Sequence, residues 1–178
     1  MRITGGTLVG RQVKVPEGVI RPAMDRMRES IFAILGDLAG SSFLDIFSGS
    51  GIIALEAASR GAAYIEAVEM DPLKRKTLLS NVIISPVRIN CRFMSAELYV
   101  KRAKRAFNTI FCDPPFPYKY KFELIESIAS SPLMSEGSRL LMHLPREDLR
   151  ENLSVNLLLE DTREYGRSIV IFFRKNYI

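Results

Sequence analysis

The sequence predicts an α/β fold: a mostly parallel, seven-stranded sheet with helices on both faces, closed at one edge by an antiparallel C-terminal hairpin. Three observations carry this. Short apolar runs alternate with helix-length stretches between residues 43 and 144, the pattern of parallel strands joined by helical crossovers. Two strand-like runs then flank Gly166 with no helical period between them, which reads as a hairpin. The turn Ser48-Gly49-Ser50-Gly51 directly follows the first central strand, where open α/β sheets pass into a helix and meet ligands.

The elements follow in order. The opening MRITGGTLVGRQVKV sets Ile3, Leu8, Val9, Val13 and Val15 around Gly5-Gly6 and Gly10. Short strands joined by tight turns are expected there, a small β extension over residues 1–20 before a single domain over 21–178. From Asp25, read as an N-cap, Met27, Ile31, Ile34, Leu35 and Leu38 keep a period near 3.6 until Gly36 and Gly40 interrupt it. Strands are then expected over 43–47, 64–69, 88–93, 107–112 and 139–144. Helices are expected over 52–60, from 72 toward 81, and over 96–105 and 121–130. The hairpin pairs 155–165 with 167–173.

Composition narrows the function. With 178 residues, 47% hydrophobic and 25% charged, the chain can bury a core without disulfides or metals, and disordered or collagen-like classes drop out. Twenty-five Lys and Arg against 20 Asp and Glu leave a net +5, suited to a partner carrying phosphates. Cys91 and Cys112 sit in apolar runs and His143 is the single histidine, so no metal site is expected. No leader and no membrane-length apolar stretch is visible, so a cytoplasmic protein with reduced thiols and no membrane partner is expected. No interface stripe stands out, which favours a monomer.

Three motifs carry chemistry. In LDIFSGSGIIA, Asp45 lies within a strand and Gly49 and Gly51 let the backbone approach a ligand at a helix start. Glu69, 18 residues beyond Gly51, ends the next strand, where a carboxylate accepts hydrogen bonds from ribose hydroxyls; Asp71 is read as the cap of the helix that follows. Asp113-Pro114-Pro115-Phe116 follows the fourth strand on the same edge. The prolines stiffen that loop, so the Asp113 carboxylate and nearby carbonyls become fixed acceptors beside an aromatic ring. This suits a planar base bearing an exocyclic amine.

LDIFSGSG, VEMD and CDPPF, in this order, resemble motifs of class I S-adenosylmethionine-dependent methyltransferases that act on exocyclic amines. RPAMDRMRESIF and the opening MRITGGTLVGR narrow the resemblance to the RsmD family, bacterial 16S ribosomal RNA guanine-N2 methyltransferases. It runs from Met1 to the hairpin at Tyr165-Gly166. It implies a Rossmann-like fold, S-adenosyl-L-methionine as cofactor, and ribosomal RNA or the small ribosomal subunit as partner. Asp45, Phe47, Gly49 and Gly51 would surround the methionine part of the cofactor, Glu69 would hold its ribose, and Met70 would lie against its adenine. Ser95-Ala96 stands where many such enzymes carry Asp-Ala, and Asp113, Pro114, Pro115 and Phe116 would form the catalytic loop. Ala23-Met24 replaces the family's pair of small hydroxyl residues, removing any hydroxyl contact there.

The remaining signals are weighed against blander roles. Cys112, before Asp113 at the end of an apolar strand, is read as core, and His143 as a strand-end residue outside the site. Arg2, Arg11, Lys14, Arg21, Arg26 and Arg28, together with Lys119 and Lys121 around the catalytic loop and Tyr118 and Tyr120 interleaved with them, are expected to line an RNA track of phosphate contacts and stacking surfaces. Lys101, Arg102, Lys104 and Arg105 are read as a solvated helix face. Adenine-N6 methylation stays open, since the same acceptors serve either amine. A nicotinamide-dependent oxidoreductase fits the glycine spacing and Glu69 but not Asp113-Pro114-Pro115. A non-catalytic RNA-binding module explains only the charge.

Overall fold

The computed structural model describes residues 1–17, 24–151, 153–154 and 156–176. Among them seven strands form one sheet in the order β3-β2-β1-β4-β5-β7-β6. β1 (Ser42–Ile46), β2 (Tyr64–Val68), β3 (Ile89–Arg92), β4 (Thr109–Cys112) and β5 (Arg139–Pro145) are parallel. β6 (Leu157–Tyr165) and β7 (Ser168–Lys175) form the expected hairpin, with β7 antiparallel to both β5 and β6. α1 (Met24–Leu35) precedes the sheet, and α2 (Ile52–Ser59), α3 (Arg75–Val82), α4 (Ala96–Lys101) and α5 (Lys121–Ala129) join its parallel strands. The chain steps outward from β1 to β3 and then returns to β4 on the other side of β1. That reversal opens a crevice at the carboxyl ends of β1 and β4.

Side-chain alternation along the strands builds two cores. Phe43, Ile65, Phe111, Leu141 and Phe172 face α1 and α2, while Leu44, Ile46, Val68, Ile110, Met142 and Ile171 face α4 and α5. All eight residues of α2 are buried, so it lacks the polar face of a surface helix. The reason is a second cover: α1 and residues 1–17 lie over it, with Ile3 and Val13 in the same apolar cluster as Ile53 and Ala57. Among the described residues no helix is long and apolar enough to cross a membrane.

The N-terminal segment forms a β-pairing shorter than full strands, around a tight turn. One antiparallel bridge, Arg2 with Gln12, closes around a 3₁₀ turn at Gly6–Leu8. The Ile3 amide donates to the Arg11 carbonyl at 3.0 Å, the Gly10 amide to the Ile3 carbonyl at 2.8 Å and the Val13 amide to the Met1 carbonyl at 2.7 Å, and the segment also bonds to α2: the Thr4 amide donates to Glu56 Oε1 at 2.9 Å, the Leu8 amide to Ser59 Oγ at 2.8 Å, and Ser59 Oγ to the Gly5 carbonyl at 2.6 Å. Partners in α2 thus extend a ladder too short to satisfy the segment's polar groups by itself.

Three further expectations are corrected here. Arg28, expected on the RNA track, is 0% exposed. Its Nε donates to buried Glu56 at 3.1 Å, and its Nη2 donates to the Arg2 carbonyl at 2.9 Å and also bonds Asp25. Glu56 is bonded in turn by Arg60. Asp25 therefore works inside the first turn of α1 as an ion-pair partner rather than as its N-cap. Arg21, also placed on that track, lies outside the described residues. Separately, α4 ends at Lys101, earlier than its periodicity suggests, and the Arg105 guanidinium packs 3.6 Å from the Tyr64 ring centroid instead of forming part of a solvated helix face.

Removing one member of a buried ion cluster strands the others without a counter-charge. Arg28→Leu is expected to lower the unfolding free energy by about 3 kcal/mol, measured by urea denaturation at neutral pH; a loss below about 0.5 kcal/mol would show that Arg60 alone neutralises Glu56.

Candidate active site

The first wall is the turn after β1. Phe47 adopts φ +62°, in the left-handed region that non-glycine residues seldom occupy, and so turns the chain sharply out of the strand. Gly51 caps α2 at φ +82°, and a Cβ there would come within 2.7 Å of Leu78 Cδ1. Beneath the turn, buried Asp45 accepts from Ser48 Oγ at 2.6 Å and from the Ala54 amide at 3.2 Å. Burial pushes its carboxyl up to about 7 from the usual 3.8; Asp113 and Glu69 nearby push the same way, while the two hydrogen bonds oppose it.

Glu69 forms the second wall. Its Oε2 accepts from the Gly49 amide at 2.7 Å and its Oε1 from the Asp71 amide at 2.8 Å. Each oxygen keeps a further lone pair for ligand hydroxyls. Asp71 accepts from the Leu73 amide at 2.9 Å, as a cap should. Met70 follows Glu69 with 64% of its surface exposed, an apolar side chain at the rim of the same edge. Ser95 accepts from the Leu98 amide at 3.2 Å and caps α4, and Ala96 behind it is buried. Ser95, at the place where many such enzymes carry Asp, thus serves as a helix cap.

The third wall is Asp113 to Phe116, and here the structure adds a residue. Cys112 pairs with Met142 in the parallel register of β4 and β5, which brings Asp113 and His143 side by side. His143 Nδ1 lies 2.8 Å from Asp113 Oδ1, His143 Nε2 lies 2.8 Å from Ser168 Oγ, and the Phe116 ring meets the imidazole edge-on at 5.7 Å. His143, expected outside the site, is therefore part of it. Nothing local in RLLMHLP marks this, because Asp113 is 30 positions away. Lys121 is also drawn in. Its Nζ bonds the Phe116 carbonyl and Asp148, the latter at 2.7 Å, so it clamps the loop rather than facing solvent.

Cys112 is fully buried and burial raises its thiol well above the usual value, which suits core packing and opposes a thiolate nucleophile. Tyr118 packs edge-on against Phe47 at 5.4 Å and its hydroxyl bonds Glu97, whose carboxyl that bond lowers. Lys119 is exposed beside it. Arg2, Arg11, Lys14 and Arg26 are likewise exposed, with Arg2 3.7 Å from Asp25.

Asp45 gives a test with a defined sign. Its folded value lies above the unfolded one, so the folded protein holds the extra proton between about pH 4 and 7 and stability falls as pH rises through that window. Asp45→Asn keeps an acceptor for the Ala54 amide and carries no charge. It is expected to flatten this decline and to be the more stable form at pH 8 by on the order of 2 kcal/mol, read from urea unfolding between pH 5 and 8.

Comparisons with known proteins agree with this fold. The family model described as conserved hypothetical protein 95 matches residues 1–174. Ribosomal RNA small subunit methyltransferase D of Escherichia coli is 36% identical over 120 residues, which cover 65% of this chain and 60% of that protein. YlbH of Bacillus subtilis is 29% identical over 188 aligned residues, covering 98% of this chain and 99% of YlbH. The solved structure of yhhF from Escherichia coli has a TM-score of 0.88 at 28% identity, covering 98% of this chain and 97% of that one. From its first residue into β7, the chain belongs to the conserved hypothetical protein 95 family, the RsmD family of methyltransferases that its motifs resemble.

Proposed function

We propose that this protein transfers a methyl group from S-adenosyl-L-methionine to the exocyclic N2 amine of a guanine in the 16S ribosomal RNA of the small ribosomal subunit. The observation that carries the reading is the Asp113 carboxylate, held by His143 at the switch point of the sheet, across the same edge from Glu69 and the Gly49 turn. The names of relatives supply the RNA class: ribosomal RNA small subunit methyltransferase D occurs among them in several bacteria.

The donor set fits the cofactor. Burial raises the Asp45 carboxyl, with Asp113 and Glu69 adding to it, and a ligand carrying a sulfonium and an ammonium group would supply positive charge beside the three carboxyl groups. A Cβ built at Gly49, φ +57°, would meet nothing within 4 Å, so the turn's backbone faces open space. Phe47, Gly49 and Gly51 would lie along the methionine part, Glu69 would hold the ribose and Met70 the adenine. Ala96 supports that wall from behind, and Ser95 acts through its cap. Bound there, S-adenosyl-L-methionine supplies an electrophilic methyl group.

The chain's own residues do the rest. The guanine amine shares its lone pair with the ring and is a weak nucleophile, so orientation is the main requirement. Asp113 accepts one amine N–H and the Pro114 carbonyl the other, which turns the lone pair toward the methyl group, while Pro115 keeps the loop stiff and Phe116 stacks on the ring. As the nitrogen becomes acidic, Asp113 or water takes its proton. His143 fixes the carboxylate plane. A base paired in a duplex cannot enter this loop, so the substrate guanine is unpaired or flipped out. Arg2, Arg11, Lys14 and Arg26, with Tyr118 and Lys119, would follow the flanking phosphates and bases.

Labelled methyl transfer to 30S particles from cells lacking the gene is expected to yield N2-methylguanosine on nucleoside analysis. Label in N6-methyladenosine would instead select the adenine reading. Asp113→Ala is expected to lower the turnover rate by about 10²-fold or more with cofactor affinity changed less than about threefold. On the same particles His143→Leu is expected to cost about tenfold in turnover, and His143→Asn, which keeps an N–H toward Asp113, to recover most of it. Full turnover in Asp113→Ala would overturn the assignment. Removing the charges of Arg11 and Lys14 is expected to shallow the salt dependence of RNA binding by about one unit of slope for each phosphate that is no longer neutralised; unchanged affinity at every salt concentration would remove them from the RNA track.

A further inference from the structure

Beside the Asp113–Phe116 loop lies a cavity of about 550 Å³, lined by Phe116, Arg146, Glu147, Gly166 and Arg167. Its walls come from three segments far apart in sequence, and each is pinned to the next. The Arg146 amide donates to the Arg167 carbonyl at 2.9 Å. Lys121, its side chain only 8% exposed, ties the Phe116 carbonyl to Asp148. His143 ties Asp113 to Ser168, the residue after Arg167. A space so braced is formed before any ligand arrives, and it is large enough for one purine nucleotide.

The charges in this cavity are not equivalent. Arg146 is paired with Glu164 at 3.3 Å. Glu147 and Arg167 are both exposed, and neither side chain makes an ion pair or hydrogen bond among the described residues. An ionised carboxylate can only accept and a guanidinium can only donate. Guanine presents a matching pair of edges: N1–H is a donor, while O6 and N7 are acceptors that take a bidentate guanidinium. Adenine presents an acceptor at N1 and a donor at N6, so each of the two side chains would face a group of its own kind.

We propose that Glu147 and Arg167 are the residues that select guanine, with Glu147 accepting from N1–H and Arg167 donating to O6 and N7 while Phe116 covers the ring. This rests on the methyl-transfer reading above and deepens it: the catalytic loop serves any exocyclic amine, and the cavity beside it decides which base is presented. The hairpin turn at Gly166 thereby becomes part of the substrate site.

The test uses the full-length protein and reconstituted 30S particles. The guanosine that wild-type protein methylates is mapped first, then replaced by 2-aminopurine through ligated RNA. That base keeps the N2 amine but has neither O6 nor N1–H. Glu147→Ala and Arg167→Ala are each expected to lower kcat/KM on guanosine particles by about 10- to 100-fold. On 2-aminopurine particles, which wild-type protein should use poorly, Glu147→Ala should change kcat/KM less than about threefold, Arg167→Ala, which there loses only the bond to N7, should cost clearly less than it does on guanosine, and cofactor affinity should be unchanged on both. Equal losses on the two substrates would mean that the side chains hold the RNA backbone, and no loss on either would mean that they face solvent; both results overturn the proposal. Asp113→Ala, run alongside, separates the two levels. If it is inactive while Glu147 and Arg167 fail the comparison, only the guanine selection falls; if it methylates at the wild-type rate, the catalytic reading falls as well.

Discussion

The site is organised around a carboxyl group that is unfavourably placed in the free protein. Asp45 sits in the central strand with its side chain buried beneath the turn, and its two hydrogen bonds, from Ser48 and from the first turn of α2, draw strand, loop and helix into one unit. Burial and two neighbouring carboxylates make its ionisation costly. A strand that served only packing would carry an apolar residue here, as its neighbours Leu44 and Ile46 do. Positive charge arriving from outside would relieve that tension, so under the proposed function the group that shapes the loop also favours a cationic ligand.

A second polar cluster performs the matching task on the far side of α2. Glu56, Arg28 and Arg60 are withdrawn from water together, and they join α1, α2 and residues 1–17. Asn81 links that assembly to the site. Its Oδ1 accepts from the Lys14 amide, and its Nδ2 donates to the carbonyls of Lys14 and Ser50, at 3.0, 2.9 and 2.8 Å. The N-terminal segment and the glycine turn therefore share one buried amide. The exposed Arg11 and Lys14 are mounted on a base continuous with the turn itself, and a segment that looks like an appendage in sequence holds its place through the same residues that hold the site.

Most of the sheet is legible in the sequence because strand and crossover periodicities are local. Asp45, Glu69 and Asp113 are legible for the same reason: each lies at or near a strand's carboxyl end, and the order of such ends follows from the alternation of strands and helices. What escapes is pairing across the fold. His143 and Asp113 meet through the register of β4 and β5, and Arg28 meets Glu56 across two helices that separate them by 28 positions. Basic residues near one another in sequence look alike, yet Arg26 is exposed and Arg28 is sealed in, a difference set by which side of α1 faces α2. The N-terminal glycines announce turns correctly, but not that α2 would bond the segment alongside its own short ladder.

The hairpin has a consequence for how the chain assembles. β7 lies inside β6 in the sheet although it follows β6 in the chain, and its Val170 and Phe172 enter one core while Ile169, Ile171 and Phe173 enter the other. The outer edge of β5 has no partner until the later strand is made, and β6 has nothing to add to before then. During synthesis the parallel half of the sheet must wait with an open apolar edge, a state prone to pairing with other chains. A chain cut short within the hairpin would be deprived of apolar side chains in both cores at once, so truncation there would weaken both faces of the sheet together.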